Sequence, residues 1–245
     1  EKFAGKSSAG LYDDVLAELD WSVEQIMAKL RALGLDDQTL VVFSSDNGAY
    51  FGGSNGGLRG MKGDAWEAGH RMPFIVRWPG RVKAGSITAQ TICFTDVMAT
   101  LAAASGATLA AEAGPDSFSF LPVLLGNQPT TQPVRESLVV GRSIRSGRWK
   151  WIDGREAIHF GRASSGTYPA ASEPPGQLYD LDADPRETTN LTTAQPEIAA
   201  RLQAEFAQIQ KSSRPQPKCT LATERRSAAA IMAGGGRMSG VGRTR

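Results

Sequence analysis

Residues 39–48, Thr39-Leu40-Val41-Val42-Phe43-Ser44-Ser45-Asp46-Asn47-Gly48, decide the reading of the fold. From Leu40 to Phe43 the run is apolar without alternation, the pattern of an interior parallel strand covered by helices on both faces. Upstream, Leu11, Val15, Leu19, Val23, Ile26, Leu30 and Leu33 recur at three- and four-residue intervals, an apolar stripe along one helical face that ends at Gly34. A helix followed by a buried strand predicts an α/β layer fold.

Downstream of the strand, seven of the sixteen residues from Gly48 to Gly63 are glycine, too many for a helix or a strand. This is a long loop, and loops of that length in a compact domain are commonly functional. Pro73-Phe74-Ile75-Val76-Arg77-Trp78 reads as a second strand ending in the turn Pro79-Gly80. Helices are expected over 96–105, stopped by Gly106, and over 118–125, stopped by Gly126. Beyond residue 130 the texture changes to short strands at 137–140, 143–145, 148–152 and 178–181, then a helix opened by Pro196 with Ile198, Leu202, Phe206 and Ile209 on one face. Three parts are therefore expected. Residues 1–130 form an α/β layer, which the resemblance given below implies to be the C-terminal part of a catalytic domain, 131–211 a small sheet-and-helix subdomain, and 212–245 a disordered basic tail.

The 245 residues are 41% hydrophobic and 21% charged, an ordinary globular composition that excludes whole-chain disorder. No apolar stretch approaches the roughly 18 residues of a membrane-spanning helix, and residues 1–20 lack the basic-then-apolar pattern of a signal peptide. The formal charge of +2 hides an asymmetry. Eight Lys and Arg against the single Glu224 make 211–245 +7, leaving −5 for 1–210. A mildly acidic body is a poor nucleic-acid binder, and the tail lacks interleaved aromatics, so no nucleic-acid partner is expected. Cys93 and Cys219 can pair at most once and say little about redox compartment.

Asp46-Asn47-Gly48 follows the best strand directly, and ligands in open α/β sheets gather outside the carboxyl ends of strands. A carboxylate and an amide oxygen leaving a sheet are hard donors suited to Ca²⁺ or Mg²⁺, although Asp-Asn-Gly is also a common turn sequence. Lys62 stands in Leu58-Arg59-Gly60-Met61-Lys62-Gly63, at the far side of the glycine-rich loop. Its ammonium can fold back toward an anion held by such a cation; alone, it reads as a solvated loop lysine, since most lysines are exposed.

These segments resemble the sulfatase family, especially its arylsulfatase-like branch in the alkaline phosphatase superfamily. The resemblance is carried by Asp46-Asn47-Gly48, by 58–73 (LRGMKGDAWEAGHRMP) and by Val76-Arg77-Trp78-Pro79-Gly80. Upstream it includes Phe3-Ala4-Gly5-Lys6-Ser7, 10–15 and 18–23. Downstream it includes Phe94-Thr95-Asp96, 116–122 and Leu178-Tyr179-Asp180-Leu181 with Asp184-Pro185, Glu187 and Asn190-Leu191, all in family order over about residues 1–210. The resemblance implies an α/β fold, the C-terminal part of a mostly parallel sheet sandwiched by helices, followed by a small antiparallel sheet with a helix. It implies that Asp46 and Asn47 are ligands of a divalent cation, normally Ca²⁺, that Lys62 contacts the sulfate group, and that the partner is a sulfated small molecule or glycan. Periplasmic or secreted location is implied by the family alone.

The family nucleophile is a formylglycine made from Cys or Ser in a Cys/Ser-x-Pro/Ala-x-Arg motif. Neither Cys93, followed by Phe94-Thr95-Asp96, nor Cys219, followed by Thr220-Leu221-Ala222, has that context. The chain is therefore expected to be the C-terminal portion of a sulfatase, with the formylglycine in the part outside it, and to be inactive alone. For the whole enzyme the implied chemistry is attack of a hydrated aldehyde on sulfur, with positive charge placed where sulfuryl oxygens gain electron density. A phosphoester hydrolase or transferase of the same superfamily and a noncatalytic binding remnant remain open alternatives. His70 is expected to be a surface or satisfied histidine, with a contact to a substrate group as the alternative, and His159 to lie at the surface; Arg59 and Arg71 are expected as braces of the loop, Glu67 in a structural role holding it, and Trp66 and Trp78 as core aromatics. Gly5-Lys6-Ser7 imitates the end of a phosphate-binding loop but lacks the buried strand before it.

Overall fold

The computed structural model describes residues 2–50, 53–110, 112–154 and 176–212. The expectations for His159, for Cys219 and for the tail after Ser212 lie outside the described residues. Glu1–Ala207 form one compact unit and Gln208–Arg245 a second.

The apolar stripe forms α1 (Leu11–Ala32), and a single 3₁₀ turn, Asp36–Gln38, leads into β1 (Val41–Ser44). After the glycine-rich loop come α2 (Glu67–His70) and β2 (Phe74–Arg77). The two strands pair antiparallel, Val41 opposite Arg77 and Ser44 opposite Phe74. A continuous apolar run predicts parallel neighbours, but parallel pairing needs a crossover element between the strands. Here the connection is a glycine-rich loop that returns the chain to the same edge in the opposite direction. Parallel partners for β1 are not among the described residues, and Val42 is exposed on it.

The α3 helix (Thr95–Ser105) ends at Gly106 with φ +73, the left-handed stop that glycine makes without a Cβ penalty. α4 is a single turn, Leu121–Leu124, shorter than the stretch expected at 118–125. Asp96, fully buried in α3, accepts the amides of Cys93 and Phe118, both at 2.9 Å, and pairs with the guanidinium of Arg135. Thr100 accepts the amide of Phe120 at 3.0 Å. These bonds tie α3 to the segment that follows it and satisfy a carboxylate that could not be buried unpaired.

β3 (Ser137–Val140), β4 (Ser143–Ser146), β5 (Trp149–Ile152) and β6 (Gln177–Asp180) form an antiparallel meander in that order. The β4–β5 turn contains Gly147 at φ +57. α5 (Pro196–Ser212) buries Ala199, Leu202 and Phe206, and the Phe206 ring meets Trp151 edge-on at 5.5 Å. Burial of each such large side chain contributes about 1.5–3 kcal/mol. Ala65, Trp66, Ile152, Tyr179 and Leu181 make a core cluster in which the segment after the glycine-rich loop packs on β5 and β6. Among the described residues, no helix is long and apolar enough to cross a membrane.

Candidate functional site

Asp46 and Asn47 leave β1 as its regular pairing ends, Asp46 exposed and Asn47 half-buried. Gly48 is buried, and its amide donates to the Gly69 carbonyl at 3.2 Å. A Cβ at Gly48 would stand 1.6 Å from the Ala68 carbonyl oxygen, so only glycine lets the two backbones approach this closely. One residue on, the Ala49 carbonyl accepts the amide of Lys62 at 2.8 Å. The backbone of Lys62 is thus held against the segment that carries Asp46 and Asn47, and its side chain is exposed.

The loop around Lys62 closes on itself. The Asp64 carboxylate accepts the Met61 amide at 2.9 Å, and Gly60 and Gly63 take φ +88 and +92 on either side. Ala68 donates to the Arg59 carbonyl at 3.0 Å, so the two ends of 59–68 meet. A Cβ at Gly69 would lie 2.1 Å from the Asp64 carbonyl oxygen.

This closed loop rests on the four-stranded sheet through a buried polar network. Lys150, in β5, places Nζ 3.0 Å from Glu67 Oε1 and 3.1 Å from Glu187 Oε1. Glu187 Oε2 accepts the Glu67 amide at 2.6 Å. Arg145 Nη1 lies 3.5 Å from Glu67 Oε2. Arg59 donates to the Glu187 carbonyl at 2.6 Å and to the Tyr179 hydroxyl at 3.1 Å, and its guanidinium stacks 4.0 Å from the Trp66 ring centroid. Trp66 Nε1 and the Tyr179 hydroxyl both donate to Gln177 Oε1, at 3.0 and 2.6 Å. Burial alone would raise the Glu67 carboxyl, but the Lys150 ammonium, with the Arg145 and Arg71 guanidinium groups, outweighs it and holds the group below the usual glutamate range. Burial pushes Glu187 above that range despite the same ammonium, with Glu67 adding to the rise.

Glu67 therefore has the structural role expected of it, Arg59 braces the loop, and Trp66 is fully buried. Trp78 is half-buried, with the Arg81 guanidinium 5.3 Å from its ring centroid. Arg71 is exposed and His70 half-buried. Gly5, Lys6 and Ser7 direct their amides at the carboxylate of Asp14, at 2.6, 3.0 and 2.6 Å. The apparent phosphate-loop ending is a turn whose anion is the chain's own aspartate.

Lys150 has no role in the sequence reading, and Glu187 enters it only as part of a motif series. The one available signal at Lys150 is a charge inside the apolar run Trp149-Lys150-Trp151-Ile152; Glu187 carries none, because its φ of +54 is invisible in residue type. Among the described residues no three His, Cys, Asp or Glu converge as a metal site. Asp46 and Asn47 are two hard oxygen donors at a strand end, which fits part of a Ca²⁺ or Mg²⁺ ligand set but not the about six oxygens such ions take. A separate groove of about 880 Å³ runs along β2, lined by Trp78, Ile87, Phe120 and Leu124 among others, and includes none of Asp46, Asn47 or Lys62.

Comparison with known proteins bears on this geometry. The sulfatase family model matches residues 1–107. An N-acetylgalactosamine-6-O-sulfatase of Bacteroides thetaiotaomicron is 38% identical over 219 residues, covering 82% of this chain and 42% of that protein. Human arylsulfatase A is 36% identical over 234 residues, covering 82% and 44%. A solved structure from the glycosaminoglycan metabolism of Bacteroides thetaiotaomicron is 34% identical with a TM-score of 0.74, covering 86% of this chain and 46% of that one. A phosphonate monoester hydrolase from Silicibacter pomeroyi, 19% identical with a TM-score of 0.58, has the same fold over 82% of this chain. The chain spans less than half the length of each of these proteins.

Proposed function

The chain belongs to the sulfatase family, with its alkaline-phosphatase-like α/β fold, and from that premise we propose that it forms part of a sulfuric ester hydrolase. In this reading Asp46 and Asn47 are two oxygen ligands of a divalent cation, Ca²⁺ or Mg²⁺, and Lys62 contacts the sulfate group. The substrate is a sulfate monoester, of a glycan or a small molecule, in keeping with the names of its relatives. The single observation that carries the assignment is the hydrogen bond from the Lys62 amide to the Ala49 carbonyl, which sets an exposed ammonium-bearing residue beside the segment that bears both oxygen donors.

The cation, when bound, supplies positive charge to the sulfuryl oxygens. Lys62 would add a second positive group, stabilising the charge those oxygens gain in the transition state. Asp46 and Asn47 leave the strand on a backbone that the close approach at Gly48 holds in place, which fixes where their side chains depart from the chain. The nucleophile is a formylglycine from a Cys/Ser-x-Pro/Ala-x-Arg motif, which neither cysteine of these 245 residues supplies. The 245-residue chain alone is therefore inactive.

Sulfate release from an aryl sulfate, measured for the 245-residue chain and for the product of the open reading frame that contains it, tests the proposal. Release by the longer product, lowered about 10²-fold by Lys62→Ala, is the expected result. Release by the 245 residues alone overturns the claim of inactivity. Turnover of phosphate or phosphonate esters with none of sulfates moves the assignment to the phosphoester branch that shares the fold. Failure with every ester, in a product that binds a sulfated glycan, favours a noncatalytic remnant.

A further inference from the structure

Lys150 is 2% exposed and Glu187 fully buried, and together with Glu67 they bury two carboxylates around one ammonium. An apolar packing of the same volume is frequently as stable as a buried ion pair, so stability does not by itself account for such a cluster. Its members come from three places in the chain: the single turn that closes the Lys62 loop, the third strand of the meander, and the turn after β6.

Glu187 engages both ends of that loop. Its carboxylate accepts the amide of Glu67 at 2.6 Å, and its carbonyl accepts Arg59 Nη1 at 2.6 Å. It does so at φ +54, a left-handed conformation that costs a non-glycine residue and persists only when its surroundings over-determine it. Lys150 holds the Glu187 and Glu67 side chains in one place. Lys62 lies between Arg59 and Glu67, and its own amide is bound to Ala49. A loop pinned at both ends on the sheet, with its middle hydrogen-bonded to the Asp46-Asn47 segment, gives the Lys62 backbone one position rather than many.

We propose that Lys150 and Glu187 are positioning residues for Lys62: by anchoring Arg59 and Glu67 at the two ends of its loop, the C-terminal sheet sets where the Lys62 ammonium stands relative to Asp46 and Asn47. This rests on the reading of Lys62 as an oxyanion contact. It assigns the meander a part in oxyanion recognition although none of its residues needs to touch the anion.

The test uses the product of the open reading frame that contains these residues, with Ca²⁺ and inorganic sulfate as the probe. Lys150→Met removes the charge at similar length, Glu187→Gln keeps the shape and removes the charge, and Lys150→Arg restores the cation. Hydrogen exchange of a peptide containing Lys62 is compared with that of a peptide from β3 and β4, and sulfate affinity is measured for each variant, for Lys62→Ala and for the double variant Lys62→Ala/Lys150→Met. The expected results are faster exchange at Lys62 with little change in β3–β4, sulfate affinity about tenfold weaker in Lys150→Met and partly recovered in Lys150→Arg, and a double variant no weaker than Lys62→Ala. Unchanged exchange at Lys62 in both Lys150→Met and Glu187→Gln overturns the proposal, as do equal acceleration in both peptides and additive losses in the double variant. If Lys62→Ala leaves sulfate affinity unchanged, the reading of Lys62 fails on its own account, and exchange at the Lys62 peptide alone decides the positioning claim.

Discussion

The amide of Lys62 donates to the carbonyl of Ala49 at 2.8 Å, across thirteen residues of sequence rich in glycine. That bond joins the segment after a strand to the middle of a closed loop, and it places the two sequence motifs side by side through the backbone. The approach is possible because Gly48 lies against the Ala68 carbonyl with no room for a Cβ.

Gly48→Ala should therefore separate the two motifs. The added methyl would meet the Ala68 carbonyl oxygen at 1.6 Å, and relief of that clash requires a backbone shift. Overpacking of this kind costs about 1–3 kcal/mol. Urea unfolding should show a lower midpoint, and exchange at the Lys62 amide should quicken; a wild-type midpoint with a protected Lys62 would contradict the close approach.

Glu187 gives a pH dependence of defined sign. Its carboxyl is raised by burial above the ordinary 4.5. Between that value and its higher folded value the folded chain holds a proton that the unfolded chain has released, so stability falls as pH rises through the window. Subtracting the Glu187→Gln curve from the wild-type curve of thermal stability against pH should reveal a falling limb that begins near 4.5. A rising limb there would mean that Lys150 pairs with Glu187 more strongly than burial opposes it.

Asp14 has the opposite sign. Hydrogen bonds from the amides of Ser7, Gly5 and Lys6 hold its carboxyl below the ordinary 3.8. Its contribution is complete above 3.8 and is lost as pH falls through the lower folded value. Asp14→Asn should lose stability at neutral pH and show a shallower acid limb than the wild type, with residues 5–7 becoming sensitive to protease. Superimposable acid limbs would remove Asp14 as the anchor of that turn.

The apolar stripe of α1 is uncovered, with Leu11 74% and Ile26 60% exposed and Val15, Leu19 and Leu33 open beside them. A contiguous apolar face of this kind drives association in water. The 245-residue chain alone should express poorly and scatter light at low concentration, and Val15→Lys/Ile26→Glu should raise its soluble yield. A monomer with a sharp, cooperative thermal transition and no gain from those charges would contradict the expectation.

Much of this architecture is legible in residue order. The stripe from Leu11 to Leu33 appears as α1, the apolar run at 40–43 as β1, the meander strands at their expected places, and Gly106 as a left-handed stop. The pairing of β1 is not legible, because an apolar run states that a strand is hydrophobic and not which direction its neighbour runs. The role of Gly5-Lys6-Ser7 is not legible either: its amides answer to Asp14, seven to nine residues later, and only the fold of that turn reveals it.

What the sequence by itself determined is everything that depends on neighbours along the chain: helix and strand periodicity, the glycines that permit positive φ, and the order of motifs that marks a sulfatase. What only the tertiary structure decided is the meeting of Lys150 with Glu67, 83 residues apart, and of Glu187 with the Glu67 amide, 120 residues apart. Local pattern cannot encode such meetings, because a lysine in a strand reads as solvent-facing until the fold supplies the carboxylates that make its burial tolerable.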